Sequence, residues 1–504
     1  MKATSLFKRA FELICFISTL LSTEMVFAQE KAMNIIYILA DDHRYDAMGF
    51  MNKIPGLQTP SMDKLAAEGA HLKNAFVSTA LCSPSRASIL TGQYAHTHTV
   101  VDNDAPLPEN LTFFPQYLQK AGYKTAFLGK WHMGNTGDKP QPGFNYWLSF
   151  DGQGVYYNPT FNINGKRIKQ PAGSYTTDLL TDYAIEWMQK QDKDKPFFLY
   201  LSHKGVHAEF QPAKRHEKKY AEVPIITPPS MYLTATDSSK YFGTATSPAT
   251  PVNFKDIPTW VRNQRYSWHG VDYMYHGAIQ FEDFYRRYLA TLQAVDESVG
   301  RVMEWVKTQG LENNTMIVYM GDNGFSFGEH GLIDKRHAYE ESMRVPLLVW
   351  APGLVKPLSV INEIIMNVDL APTFLDLAGL KKPKQMQGES FAALLAGKNI
   401  PWRNKVFYEY YWEAAFPQTP TIFAVRSDRY KYIYNYGSWD INELYDLQKD
   451  PYEMNNLIRD PSLKKEGIAL KKALFDWLKQ TGGLQIPLKQ PVNFRFDNRY
   501  KETY

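Results

Sequence analysis

The sequence predicts a doubly wound α/β fold, a mostly parallel sheet flanked by helices, with a smaller C-terminal subdomain of antiparallel sheet plus helix. Three observations carry that expectation. Short apolar, β-branched runs recur along the chain and most stop at polar residues, as buried strands of a parallel sheet do. Helical patterns lie between them, the alternation that builds parallel sheets. After about Gly379 the texture changes to aromatic strands and one amphipathic helix.

The first run, "NIIYILA", ends in Asp41 and Asp42. "SMDKLAAEGA" then reads as a helix. After Cys82, Ser83 and Pro84, "SRASIL" reads as the first turns of a helix ending near Gly92. Proline fits there because an N–H at a helix start has no partner to lose. "LTFFPQYLQKAGY" is helical, with Gly122 as C-cap. "KTAFLG" ends in Lys130 and His132, "PFFLYLS" near His203 and His207, "TMIVYMG" in Asp322 and Asn323, and "VPLLVW" in "APG". All five runs are expected as parallel strands. A Pro-, Ser-, Thr- and aromatic-rich stretch over about 224–275 reads as a surface excursion. A long helix is expected over 280–309. "KVFYEYYW" and "IFAVRSDRYKYIYNY" are expected as antiparallel strands, and "SLKKEGIALKKALFDWLKQTG" as the helix that covers them. The expected organisation is a leader over 1–28, a catalytic domain over 29–379 and an α+β subdomain over 380–504.

A chain of 504 residues, with 44% hydrophobic and 21% charged residues, suffices for one large domain and a smaller one. A net charge of +4 argues against a dedicated nucleic-acid binder. Lys2, Lys8 and Arg9 precede the apolar "FELICFISTLLSTEMVFA", and Val26 and Ala28 are the small residues a signal peptidase needs. The chain is therefore expected to be cut after Ala28 and exported, periplasmic or secreted. Glu12 and Glu24 interrupt the apolar stretch, which is short for an anchor, so no membrane span is expected after cleavage. Cys15 leaves with the leader. The mature chain then holds Cys82 as its one cysteine and forms no internal disulfide. A lone thiol in an oxidising compartment is a liability unless it is buried, metal-bound or chemically converted.

In open α/β sheets, ligands bind beyond the carboxyl ends of the strands. Four runs place polar residues there, so those residues are expected to meet in one crevice. Asp41, Asp42, Asp322 and Asn323 offer hard oxygen ligands, which suit Ca²⁺, or less well Mg²⁺, rather than zinc. A helix start at Cys82 favours anions, and Arg86 adds a bidentate grip on a tetrahedral oxyanion. With Lys130 and Lys335, these groups describe a site for sulfate or phosphate.

"CSPSR", with Thr91 and Gly92 following, resembles the signature of the formylglycine-dependent (type I) sulfatases of the alkaline phosphatase superfamily. "ADDHR" is similar to the first metal motif of that family, and "GKWHMG" to its lysine–histidine motif. "GDNGFSFGEHGLIDKRHAYEESMRVPLLVWAPG" is similar to the stretch holding its second metal pair and a lysine, and "ELYDLQKDPYEMNNL" to its C-terminal motif. The resemblance covers nearly the whole mature chain. It implies that a maturation enzyme oxidises Cys82 to Cα-formylglycine, whose hydrate attacks sulfur with one hydroxyl and expels sulfate with the other. It also implies that Asp41, Asp42, Asp322 and Asn323 bind Ca²⁺ beside the modified Cys82. Arg86 then holds the hydrate, Lys130 and Lys335 the sulfate oxygens, and His132 orients or deprotonates the hydrate. His207 protonates the leaving alkoxide. "VHAEF" departs from the family's usual pattern around that acid, which leaves His203 as the alternative. His337 is expected to be structural.

The resemblance favours carbohydrate sulfate esters. The stretch "TWVRNQRYSWHGVDYMYHG" offers rings for sugar faces and cations for anionic groups. His98, Asn103, Asp104 and His203 are the candidate substrate-binding residues. The expected partner is a sulfated oligosaccharide from a polysaccharide such as ulvan, ahead of glycosaminoglycan fragments. A phosphonate or phosphate ester hydrolase of the same superfamily, and a non-catalytic sugar-binding protein, are the alternatives.

Overall fold

The computed structural model describes residues 32–134, 137–235, 256–274, 279–437 and 439–487. The expected leader, with Cys15, lies outside the described residues, as do 236–255 and residue 275 of the expected excursion. No helix among the described residues is long and apolar enough to cross a membrane.

The strands are β1 (Asn34–Ala40), β2 (Ala70–Phe76), β3 (Lys124–Lys130), β4 (Tyr146–Phe150), β5 (Thr160–Ile163), β6 (Lys166–Lys169), β7 (Phe197–Ser202), β8 (Thr315–Gly321), β9 (Ser326–Phe327), β10 (Ile333–Asp334), β11 (Leu347–Trp350) and β12 (Ser359–Met366), followed by a C-terminal group. Ten of them form one sheet in the order β12-β2-β11-β8-β1-β7-β3-β4-β5-β6. The centre, β8-β1-β7-β3-β4, is parallel throughout. β11, from the run "VPLLVW", is antiparallel to both its neighbours, not parallel as its sequence suggests. All four of its residues are buried. A strand covered on both faces shows the same unbroken apolar run whichever way it points.

The labelled helices are α1 (Pro60–Ala67), α2 (Cys82–Thr91), α3 (Phe114–Lys120), α4 (Thr176–Gln189), α5 (Phe281–Thr308), α6 (Leu370–Leu377) and α7 (Lys464–Thr481). They cover the sheet on both faces because successive strand residues point to opposite sides. Ile36, Ile38, Leu199, Leu201 and Ile317 pack in one core with Leu65 of α1, Leu180 of α4 and Leu289, Val295 and Val299 of α5. On the other face Tyr37 meets Phe374 of α6 at 5.5 Å, and Phe198 meets Phe114 of α3 at 5.1 Å.

The C-terminal group is a four-stranded antiparallel sheet, β13 (Lys405–Tyr410), β14 (Thr421–Ser427), β15 (Tyr430–Tyr436) and β16 (Glu443–Asp446). α7 buries Leu470, Leu474, Trp477 and Leu478, a stripe at helical spacing. Trp477 stacks on Phe407 of β13 at 4.9 Å and meets Tyr94 edge-on at 4.9 Å. His96 Nδ1 is 2.8 Å from Glu409 Oε2 on β13. The sheet is thus pinned to the segment that follows α2.

Asp296 of α5 accepts hydrogen bonds from the backbone N–H groups of Ser61 and Met62 at the start of α1. Burial outweighs those bonds and pushes its carboxyl up to about 6 from 3.8. A raised carboxyl favours folding while it is protonated, and that contribution fades as pH rises through the folded value. Chemical denaturation of the wild type and Asp296→Asn should therefore diverge. Between pH 4 and pH 7 the wild type should lose about 3 kcal/mol relative to the variant. A gap that does not change with pH would refute this assignment.

Candidate functional site

The register of the parallel strands brings their C-terminal ends level. Ala40 pairs with Gly321, and Leu39 and Gly129 both pair with Ser202. The next residues, Asp41, Asp322, His203 and Lys130, therefore leave neighbouring strands side by side. Asp322 N donates to Ala40 O at 2.9 Å and Asp42 N to Asp322 Oδ1 at 3.0 Å, which locks the two acidic turns together. Asp42 takes a positive φ of 55° in doing so.

Asp41, Asp42 and Asp322 are fully buried and present carboxylate oxygens within 4.8 Å of one another. Burial, then the negative charge of Asp41, pushes Asp322 up to about 7. Burial also raises Asp42. Burial works the same way on Asp41, but Lys130, His207, Arg86 and Lys335 outweigh it and hold that carboxyl well below its usual range. Asn323 Nδ2 donates to Asp42 Oδ1 at 2.7 Å, while its buried Oδ1 has no partner. Three crowded carboxylates and an unsatisfied amide oxygen form an all-oxygen donor set that fits a hard divalent cation.

α2 starts at Cys82 itself, with Leu81 as N-cap, and ends at Gly92 in the left-handed conformation (φ 67°). The Cys82 thiol is fully buried and donates to Asp41 Oδ1 at 3.4 Å. Burial, then Asp41, pushes it up to about 12, so it stays protonated and is a poor nucleophile as it stands. Arg86 lies one turn further along the same helix face. Its Nε and Nη2 donate to Asp322 Oδ2 at 3.0 and 2.7 Å, and its Nη1 donates to Lys130 O and Ser202 Oγ, both at 2.7 Å. One guanidinium thus fastens α2 to the ends of β8, β3 and β7. Lys130 Nζ pairs with Asp41. Lys335 Nζ reaches both oxygens of Asp42, at 2.6 and 2.7 Å.

The histidines separate clearly. His207 Nδ1 donates to the Ala208 carbonyl, which leaves Nε2 as the atom facing the crevice, 3.9 Å from Asp42 Oδ2. His207, Cys82 and Asp41 also bring their ligand atoms within 4.8 Å of one another. His203 instead turns its Nε2 onto Ser298 of α5 at 3.0 Å, and burial lowers it to about 3. The His132 carbonyl accepts from Ser83 Oγ, and its own Nδ1 is buried without a partner. Burial, then Lys130, holds that imidazole neutral. His337 Nε2 lies 3.0 Å from Ser326 Oγ.

The remaining expected substrate contacts fall in three different places. His98 is buried behind α2, its Nε2 3.0 Å from Ser88 Oγ and its Nδ1 accepting from Val100 N at 3.1 Å. Asn103 Oδ1 accepts from Ser83 N at 3.1 Å, so it caps the helix start beside Cys82. Asp104 is partly exposed, and its backbone N–H donates to Asp102 Oδ1 at 3.0 Å.

Two features escaped the sequence reading. Lys204 is buried with its ammonium 4.7 Å over the Tyr156 ring, and burial, then Lys130, lowers it to about 8. Its only sequence signal was its place beside His203. Lys335 is flanked by Asp334 and Arg336, both at positive φ (86° and 85°). Arg336 pairs with Asp334 and, at 3.0 Å, with Glu413 beyond β13. Its guanidinium lies 3.6 Å over Phe416. A strained turn of this kind persists only where surrounding contacts dictate it, and no local sequence signal marks a partner so distant.

Known proteins resemble this chain over nearly its full length. The model of the family described as "Sulfatase" matches residues 33–380, and that described as "N-sulphoglucosamine sulphohydrolase, C-terminal" matches 328–480. An N-acetylglucosamine-6-O-sulfatase of Bacteroides thetaiotaomicron is 33% identical, covering 94% of this chain and 91% of the relative. A solved structure of a protein in complex with its substrate D-glucosamine-2-N,6-O-disulfate superposes with a TM-score of 0.78 at 33% identity, over 91% of this chain and all of that one. An ulvan-active sulfatase of Formosa agariphila is 28% identical over 86% of this chain and 78% of the relative. Matches of this extent establish that the chain belongs to the sulfatase family of sulfuric ester hydrolases.

Proposed function

We propose that the protein removes the 6-O-sulfate from glucosamine-type residues of glycosaminoglycan-derived saccharides. The observation that carries this reading is the 33% identity, over nearly the whole of both chains, to a sulfatase named for N-acetylglucosamine 6-O-sulfate. The ulvan substrate suggested by the sequence has thinner support, at 28% identity. Export after cleavage at Ala28 belongs to the same reading and rests on the leader's basic and apolar pattern.

In this reading Asp41, Asp42, Asp322 and Asn323 hold Ca²⁺, which when bound polarises the ester oxygens and the attacking oxygen. Cys82, matured by a formylglycine-generating enzyme, supplies that attacking oxygen as part of a hydrate. The chain's own residues do the rest. The buried charges of Arg86, Lys130 and Lys335 balance those of the three aspartates. An added divalent cation leaves a positive excess, which attracts an ester anion. With Asp41 and Asp42 engaged by the ion, Lys130 and Lys335 would be free to pair with the ester oxygens. Arg86 keeps α2 and the hydrate in register with the strand ends. His132, held neutral, accepts or orients the hydrate proton.

His207 gives its Nε2 proton to the departing sugar oxygen, and its place in the Asp41–Cys82 group supports it over His203. Without substrate, burial, then Lys130 and Lys335, holds His207 neutral. An ester anion against the two lysines offsets their share of that shift and moves the imidazole back toward its usual range.

Two tests follow from these roles. The matured enzyme should release sulfate from N-acetylglucosamine 6-sulfate and leave the 3-sulfate isomer and ulvan oligosaccharides intact. Preferential release from ulvan fragments, or from aryl phosphates, would overturn the substrate assignment. His207→Ala should lose about 10²–10⁴-fold in kcat on the sugar sulfate. The same variant should lose far less on nitrophenyl sulfate, whose leaving group needs no proton. Equal losses on both substrates would remove His207 from the acid role.

A further inference from the structure

Among the described residues four lysines are buried: Lys130, Lys204, Lys335 and Lys431. A buried ammonium is costly unless an anion answers it. Lys130 pairs with Asp41, Lys335 with Asp42, and Lys431 with Glu340 and Glu453. Lys204 has no such partner: among the described residues no carboxylate pairs with it. Its ammonium lies 4.7 Å over the Tyr156 ring instead. An aromatic face offsets part of the lost hydration and leaves the charge without a counterion.

The backbone ties that charge to the crevice. Asp41 N donates to Gly205 O at 2.9 Å and Val206 N donates to Asp41 O at 2.7 Å, so the turn after β7 is bonded to the first acidic turn in both directions. Lys204 O accepts from His207 N at 3.0 Å, and Tyr156 Oη donates to His207 O at 2.6 Å. The ring under the ammonium thus also holds the residue whose Nε2 lies 3.9 Å from Asp42. After burial, the groups that act on the Lys204 charge are Lys130, Asp41, Asp42 and Cys82. Arg86, Lys130 and Lys335 already balance the three aspartates. Lys204 is the surplus fourth cation, and an anion entering the crevice supplies the missing countercharge.

We propose that the Lys204 ammonium binds a non-bridging oxygen of the sulfate group, beside Lys130 and Lys335, in the ester and in the released ion. This rests on the reading of the crevice given above and adds a residue to its sulfate site. Lys204→Met keeps the length of the stem and removes the charge, and Lys204→Gln is a second neutral variant. In calorimetric titration of the matured holoenzyme with inorganic sulfate, the wild type should bind and both variants should bind roughly tenfold more weakly. KM should rise by a similar factor on nitrophenyl sulfate and on N-acetylglucosamine 6-sulfate. Neither variant should melt below the wild type, because an unpaired buried charge has been removed. A wild type that binds no sulfate, or variants that bind it within twofold of the wild type, overturns the proposal. A loss confined to kcat on the sugar sulfate also overturns it, since Lys204 then acts only through His207. A loss confined to saccharides with a second anionic group, such as an N-sulfate, places the ammonium against the sugar and overturns it too. Weaker sulfate binding together with a lowered melting temperature in both variants assigns Lys204 to the fold and overturns the proposal. Weaker sulfate binding by stable variants of an enzyme that releases no sulfate from N-acetylglucosamine 6-sulfate supports the proposal and overturns the substrate reading alone.

Discussion

The constraint on which the rest of the structure depends is the burial of three carboxylates within reach of one another. Removing an ion from water costs several kcal/mol even after the protein relaxes around it. Asp41, Asp42 and Asp322 are all fully buried. The chain answers with three cations, each drawn from a different element. Arg86 comes from α2, Lys130 from the end of β3 and Lys335 from the turn after β10. The electrostatics thus fixes where α2 starts, how level the strands end and which way the β9–β10 hairpin faces. The same balance leaves Asn323 Oδ1 unsatisfied, so the cluster is complete as a charge network and incomplete as a hydrogen-bond network.

The C-terminal sheet joins the site through its supports. Glu409 of β13 takes His96 on one side of Cys82, and Glu413, just past the same strand, takes Arg336 beside Lys335. Lys431 of β15 is fully buried and pairs with Glu340 and Glu453 while donating to the Ala338 carbonyl. One small sheet therefore holds the loops on both flanks of the crevice. A change in β13 is felt at Lys335 without touching it.

Much of this was legible in the sequence, and the legible parts share a physical cause. Buried parallel strands leave unbroken apolar runs, and their polar ends fall at the sheet's C-terminal edge by the rules of the fold. That alone assembles Asp41, Lys130, His203 and Asp322. Strand direction was not legible, because β11 is apolar on both faces whichever way it runs. The edge strand β6, "KRIK", is wholly exposed and carries no burial pattern. His98 looked available because it is polar and near the helix, but both its nitrogens are engaged within the core. Lys204 and the Arg336–Glu413 pair were missed because their meaning lies in a partner distant along the chain. The expected membership of the type I sulfatases agrees with the family match.

The most direct test of the account is a calcium titration of the metal-stripped protein, followed by calorimetry. The account predicts that the wild type binds one ion and that Asn323→Ala, which deletes the unsatisfied amide oxygen at the surface of the cluster, binds it much more weakly while remaining folded. Undiminished binding by that variant, or no binding by the folded wild type, would contradict the claim that these strand ends are built around a divalent cation.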